Sequence, residues 1–572
     1  MLEGALALSQ VHESTLSRRD LWTYALLFVI ACVLFFLASS RVVNVFDEGI
    51  LLTATMRVMA GHVIHRDFYY NYGPIPPYLV AGVFKVFGQS VLAERMVTLV
   101  ANGFLAVSLY ALARQVCGRI TAVAVSIVCV LWMVGVGIGQ VLQVPLFALA
   151  MLWSTWLMLP IFQDKLRPRR ALAAGILVAV GTLCRYDYGA GLIACHLLVM
   201  AIAIWWRGSG VRPRAAEAAA ALGTYLVGVG VVLVPAAIAY MAVAPLHDLL
   251  YDVVLYNAKY YRMGRGLPFP TTQTEQLQEF IAYVLPPALG LNAYLTARVM
   301  VERQRTSAGT RAVVPQWAGF AVAFTVIATM MYLKASVRIG AAGLYLSTLP
   351  CVLLTGVLWT QRRTFSRGFR GALAAMVVLL FAGAVCALSE QRVEQQRQRA
   401  STLGWILSPA KEAPQPPLTG WCSDRNPITK GFCYVLEDNH MRAVEFLEAH
   451  TQPGDTVYVG LPEHDRIFAN DNTTYFATQR LPATRWTQMD PFLENRADIQ
   501  REMIADLERN RPPYIALDST YIGSHEPNGS SVSTGVHLLD DYIAEHYEQV
   551  EKFGVVTILK RRSPEEVMSN MP

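Results

Sequence analysis

Apolar residues come in blocks of about 17–25 from Leu21 to about Leu388, after which the chain turns polar and stays so to Pro572. A helix needs that length to cross a bilayer. The blocks delimit about eleven spans: 21–38, 93–113, 119–138, 141–160, 171–186, 188–206, 219–244, 279–298, 314–333, 341–360 and 370–388. The stretch from Pro74 to Gly88, only about fifteen residues long and opening with three prolines, does not fit as a span. It reads as an interfacial or re-entrant helix in a long first external loop, 39–92. Asp47 to Gly61 reads as a second interfacial helix, with Asp47 and Glu48 at its positive N-terminal end and Gly61 closing it. Leu51, Leu52, Thr55, Val58 and Met59 form its apolar stripe, and Arg57 is expected to face away from it. Residues 389–420 read as a linker, and 421–572 as a small α/β domain. In that domain MRAVEFLEAH reads as a helix before the strand DTVYVG, IQREMIADLERN as a helix before PYIALD, and FGVVTILK as a closing strand. The fold class is therefore a polytopic α-helical membrane protein with a C-terminal α/β domain.

Charge orients this arrangement. The net charge of +6 comes from Lys and Arg in short loops between apolar blocks, which argues against a nucleic-acid partner. Cationic clusters fall at alternate connections: Arg18/Arg19, Arg114/Arg119, Lys165/Arg167/Arg169/Arg170, Arg207/Arg212/Arg214, Arg298/Arg303/Arg305/Arg311 and Arg362/Arg363/Arg367/Arg370. Placing all of them inside puts residues 1–20 in the cytoplasm and the tail outside the cell (inner) membrane. The first block is long enough to span and lacks a cleavage site, so no cleavable signal peptide is expected. Seven cysteines lie in or beside apolar blocks, while Cys422 and Cys433 sit close together in the tail, where a disulfide is expected.

Candidate chemistry gathers on the external side. Asp47–Glu48 leads, just outside the first span, at the level of a lipid headgroup. The same loop carries the polar–aromatic run HVIHRDFYYNY, which offers Asp67, Tyr70, Asn71 and Tyr72 for substrate binding. Arg185 and Asp187 stand between two apolar runs with almost no loop between them, so their charges lie at the interface or in a cavity. External cations, where few are expected, are Lys259, Arg262 and Arg265 in loop 245–278, and Lys334 and Arg338 between later spans. Such cations suit a phosphate, which Arg can clamp with two bonds. His62 and His65 with Asp67 have no diagnostic metal spacing, so no metal or other cofactor is assigned. No phosphate-cradling glycine loop appears.

Taken in order, these residues resemble a known family. Asp47-Glu48-Gly49, Gly61, FYYNYGPIPPYLVAGVFKVFG and Glu94-Arg95 are similar to the GT-C superfamily of glycosyltransferases, near protein O-mannosyltransferases and the aminoarabinose transferase of lipid A. The resemblance is sharpest over 41–119. It implies a polyprenyl-phosphate-linked sugar donor, an acceptor (lipid, glycan or protein) at the outer face, and Asp47 as base or acceptor-positioning group with Glu48 assisting. The aminoarabinose transferase group often has Lys immediately before the paired prolines, where this chain has Ile75. Donor phosphate binding is therefore assigned to Arg185, Lys334 and Arg338, with Lys259 and Arg262 beside them. The rival readings are a flippase for a lipid-linked sugar and a non-catalytic envelope assembly protein. An enzyme requires Asp47, Arg185 and Lys334 or Arg338 to converge on one cavity.

Overall fold

The computed structural model describes residues 18–135, 137, 141–163, 167–206, 211–269, 277–306, 315–339, 341–397, 401–407 and 425–565. The helices are α1 (Arg18–Ala38), α2 (Asp47–Met59), α3 (Ile75–Phe87), α4 (Val91–Arg114), α5 (Arg119–Gly135), α6 (Gln143–Met158), α7 (Pro168–Cys184), α8 (Tyr186–Trp206) and α9 (Val211–Val243), then α10 (Leu277–Thr306), α11 (Gln316–Ala335), α12 (Ala341–Thr360) and α13 (Arg367–Arg397). Each expected span overlaps one of them. Among the described residues, seven helices are long and apolar enough to cross a membrane by length and composition. Of the remaining four, α5 and α7 have 17 residues each, α12 is apolar over the shorter stretch Leu344–Thr360, and α10 carries Pro286 and Pro287 inside it.

Burial supports a lipid surround. Only 6% of the apolar window Ala219–Val243 in α9 is buried by protein, and large side chains such as Val231 and Ile238 point outward. A helix that apolar would not face water. Small residues bring α9 against α7: a Cβ at Gly175 would lie 2.2 Å from the Tyr225 carbonyl oxygen, and one at Gly228 would lie 2.3 Å from that of Leu172. Such approach is a recognised way to associate helices in lipid. Gly175→Leu should therefore separate them and destabilise the protein by about 1–3 kcal/mol, read as a fall in detergent-solubilised Tm.

The two segments expected at the interface, α2 and α3, form as helices. Pro76 and Pro77 sit in the first turn of α3, where a missing N–H costs nothing. In the tail, α14 (Asp438–His450), α15 (Thr473–Thr478), α16 (Ala497–Asn510) and α17 (Leu538–His546) surround a five-stranded sheet of order β2-β1-β3-β5-β4. Its strands are β1 (Thr456–Gly460), β2 (Leu481–Pro482), β3 (Tyr514–Asp518), β4 (Tyr547–Phe553) and β5 (Val556–Arg561). β1 pairs in parallel with β2 and β3, and β5 is antiparallel to β3 and β4.

This domain shares its core with the loop that follows α1. Leu51, Leu52, Met56, Val80 and Phe84 pack in one cluster with Val444, Val459, Phe476 and Ile558. The dock is close: a Cβ at Gly49 would stand 2.7 Å from Thr473 Oγ1, and the Asn472 amide donates to the Val45 carbonyl at 2.8 Å. Arg57, expected to face away from the apolar stripe, is instead buried, because its guanidinium donates to the Thr484 and Asp67 carbonyls as the tail covers that face. Cys433 is disulfide-bonded, and Cys422 lies outside the described residues.

His440, Asp471 and Asp518 are buried together near this dock, with one ligand-type atom of each within 4.8 Å of the others. His440 Nε2 lies 3.2 Å from Asp518 Oδ2. Burial alone would depress the imidazole pKa, but the bond to Asp518 and the nearby Asp471 outweigh it and lift the value from 6.5 to about 9. The stabilisation this pair contributes is thus complete below pH 6.5 and lost as pH rises through about 9. Tm should fall between neutral pH and pH about 10, with a smaller fall in His440→Gln.

Candidate active site

The acidic pair divides at the first turn of α2. Glu48 points inward and is fully buried; its two oxygens take the Arg95 fork, from Nε at 2.6 Å and Nη2 at 2.8 Å. It also accepts the Asn44 amide at 3.1 Å, which closes the turn preceding the helix. Asp47, one position round, points the other way and stays partly exposed. Among the described residues nothing donates a hydrogen bond to its carboxylate. Withdrawal from water raises its pKa above 3.8, against the pull of Arg265, Arg185 and Arg338 and with a push from Asp490.

Four segments bring these charges together. Arg185 is the break between α7 and α8; it faces Asp187 at 3.4 Å and lies over the Tyr72 and Tyr188 rings. Lys334, at the end of α11, meets Asp187 at 3.2 Å. Arg338 follows it and grips Glu526 of the tail with two bonds of 2.6 Å. The fourth segment is the arm Leu246–Arg265, made of a short helix, a π-helical stretch Tyr251–Tyr260 and a last turn. From that arm Arg265 is buried and reaches the site, donating to Asp490 at 2.8 Å, whereas Lys259 and Arg262 are exposed.

Asp490 is missing from the sequence-derived site, and Arg265, named there among the external cations, is passed over in the phosphate assignment for Lys259 and Arg262. Asp490 lies in a tail loop between Met489 and Phe492, both non-glycine residues with left-handed backbones, φ 56° and 64°. Each such conformation costs about 1–3 kcal/mol and tends to collect at functional positions. Asn71 donates weakly to Asp490 at 3.4 Å, and the Tyr70 and Tyr72 rings pack edge to face at 5.8 Å. Asp67 does not join: it pairs with Arg66 and accepts the Val63 amide in the turn after α2. The histidines do not converge on it either. His65 is bonded to Asp252 at 3.0 Å and Tyr186 at 3.3 Å, and His62 accepts from Arg57.

A model of the dolichyl-phosphate-mannose-protein mannosyltransferase family matches residues 71–212. No curated protein matches the sequence. Among solved structures, ArnT from Cupriavidus metallidurans bound to undecaprenyl phosphate superposes with a TM-score of 0.54 at 12% identity, covering 95% of this chain and 98% of that one. The apo form of the same protein gives 0.53 at 14% identity, with the same coverage. Such identities speak for the fold, and the match extends over almost the full length of both chains. The chain is a multi-pass membrane protein with the fold of ArnT, and it resembles the GT-C membrane glycosyltransferases.

Proposed function

We propose that this protein is a glycosyltransferase that moves a sugar from a polyprenyl-phosphate donor to an acceptor hydroxyl or amine at the extracytoplasmic face. One observation carries the reading: Asp47, a carboxylate that receives no hydrogen bond among the described residues, stands beside guanidinium groups from three segments, with Arg265 5.5 Å over the neighbouring Phe46 ring, Arg338 donating to the Arg265 carbonyl at 2.9 Å, and Arg185 5.1 Å over the Tyr72 ring. A carboxylate held above its ordinary pKa suits a general base, and the cations suit a departing phosphate. The acceptor gives its proton to Asp47, its oxygen or nitrogen bonds to the anomeric carbon, and the bond from that carbon to phosphate oxygen breaks. The electron pair leaves with polyprenyl phosphate, where Arg265, Arg338, Arg185 and Lys334 balance the charge. Because phosphate is already a competent leaving group, the scheme calls for no cofactor. A single displacement inverts the anomeric configuration.

The rival readings explain this convergence less well. A scaffold gains nothing from an unpaired acid beside clustered cations, and a flippase has no need of a base. The reading places all eleven helices across the cell (inner) membrane, the N-terminus in the cytoplasm and the tail outside. It is tested with purified protein in liposomes, a panel of radiolabelled polyprenyl-phosphate hexoses and pentoses, and a membrane extract as acceptor. Label should move to the extract with inverted configuration. Folded protein that moves no label from any donor would sink the proposal, and a retained configuration would rule out single displacement.

A further inference from the structure

The tail does more than cover the membrane domain. We propose that Asp490 is a positioning residue of the transfer site, which holds Arg265 beside Asp47 without letting it quench that base. This rests on the reading of Asp47 as the base.

The geometry is a three-charge relay across two parts of the chain. Arg265 lies 5.5 Å over the ring of Phe46, the residue next to Asp47, yet its hydrogen bond goes to Asp490 at 2.8 Å. Both partners of that bond are nearly buried, with side chains 8% and 5% exposed. The loop carrying Asp490 is pinned from several sides. Glu494 accepts the Met489 amide at 3.1 Å and the Asp490 amide at 2.8 Å. Tyr256, from the same arm as Arg265, donates to the Pro491 carbonyl at 3.1 Å. Gly264 and Gly529 leave room for Pro491 and Phe492: a Cβ at Gly264 would lie 2.8 Å from Pro491 Cβ, and one at Gly529 would lie 2.4 Å from the Phe492 ring. Two left-handed non-glycine residues bracket the carboxylate. A loop serving only to join α15 and α16 needs none of this.

Asp490 thus acts on Asp47 through its negative charge, which offsets the positive charge of Arg265 at that carboxylate, and through its bond, which fixes where the guanidinium stands. The other groups facing Asp47 among the described residues are Arg185 at the α7–α8 break, Arg338 after α11, and the hydroxyls of Tyr72 and Tyr521. Glu494, raised to about 8 by burial and by Asp490, stands behind the loop. When Asp490 becomes neutral, Arg265 acts on Asp47 with its full charge and the base weakens.

The test is the pH profile of transfer by Asp490→Asn in the liposome assay. The acid limb of kcat/KM should move down by about one pH unit, and kcat at pH 7 should fall about tenfold. Asp490→Glu, which keeps the charge, should restore both. Arg265→Gln should move the acid limb the opposite way, which covers the case in which Asp490→Asn does not fold. The pH midpoint for carbodiimide labelling of Asp47, read by mass spectrometry, follows the same shifts without turnover. An active wild type whose acid limb is unmoved in Asp490→Asn overturns the inference and leaves the functional reading intact. So does an Asp490→Glu that behaves like Asp490→Asn. A wild type that transfers nothing overturns both.

Discussion

Asp47→Asn should lower sugar transfer by about 10²–10⁴-fold while the protein stays folded, since a positioned general base contributes that much. The expectation of an intact fold comes from the contacts. Among the described residues the Asp47 side chain receives no hydrogen bond, so the amide takes no partner away. The linkage points the same way. Asp47 has a folded pKa raised above 3.8, so it binds its proton more tightly folded than unfolded, and at neutral pH its ionisation weighs against folding. The neutral Asn variant should be as stable as wild type or slightly more so, the usual opposition between stability and a strained active site. In wild type, the same raised pKa makes activity fall as pH drops through it, at a higher pH than an ordinary aspartate would give. Initial rates and detergent Tm on the same preparations check both halves. An Asp47→Asn variant with wild-type turnover removes this residue from the mechanism.

Much of the architecture was legible because its signals are local. Apolar block length marked the helices, and Pro76 and Pro77 marked the start of α3. Alternating helix and strand patterns found α14, β1, α16, β3 and β5. Two strands were missed: β2 is only two residues long, and β4 has five consecutive exposed positions in YEQVEKF, so it lacks the buried alternation by which strands are read. The site was legible only in part, because its pairings are long-range. Asp47 and Glu48 look alike in sequence, and what separates them is Arg95, 47 residues further on from Glu48. Choosing among Lys259, Arg262 and Arg265 depends on which way the arm faces. That segment reads in sequence only as a loop, whereas it folds as a π-helical stretch, Tyr251–Tyr260, and a last turn whose buried cation is Arg265. Asp490 carried no signal, since its left-handed neighbours are Met and Phe rather than the glycines that announce such turns.

Arg95→Leu should be the most damaging single change to stability, about 3–5 kcal/mol, because it leaves a buried charge without its partner. Glu48 is fully buried and Arg95 nearly so, and the Glu94 carboxyl lies within reach of their charges. Arg95 also donates to the Ser40 carbonyl and lies 4.1 Å over the Tyr434 ring, so it ties α4 to the end of α1, to α2 and to the tail. Glu48→Gln should cost less, about 1–3 kcal/mol, because the amide can still accept one arm of the fork. The informative variant is the double one. Replacing Glu48 and Arg95 together with Leu removes both charges, and it should recover a good part of what Arg95→Leu loses. Transfer should not recover with it, because without the Glu48 anchor the first turn of α2 no longer aims Asp47 at the cations. Denaturation midpoints and rates for the two single variants and the double separate the roles expected within the pair, Glu48 holding the turn and Asp47 acting as the proposed base. A double variant that is stable and fully active would show that the turn needs no such anchor.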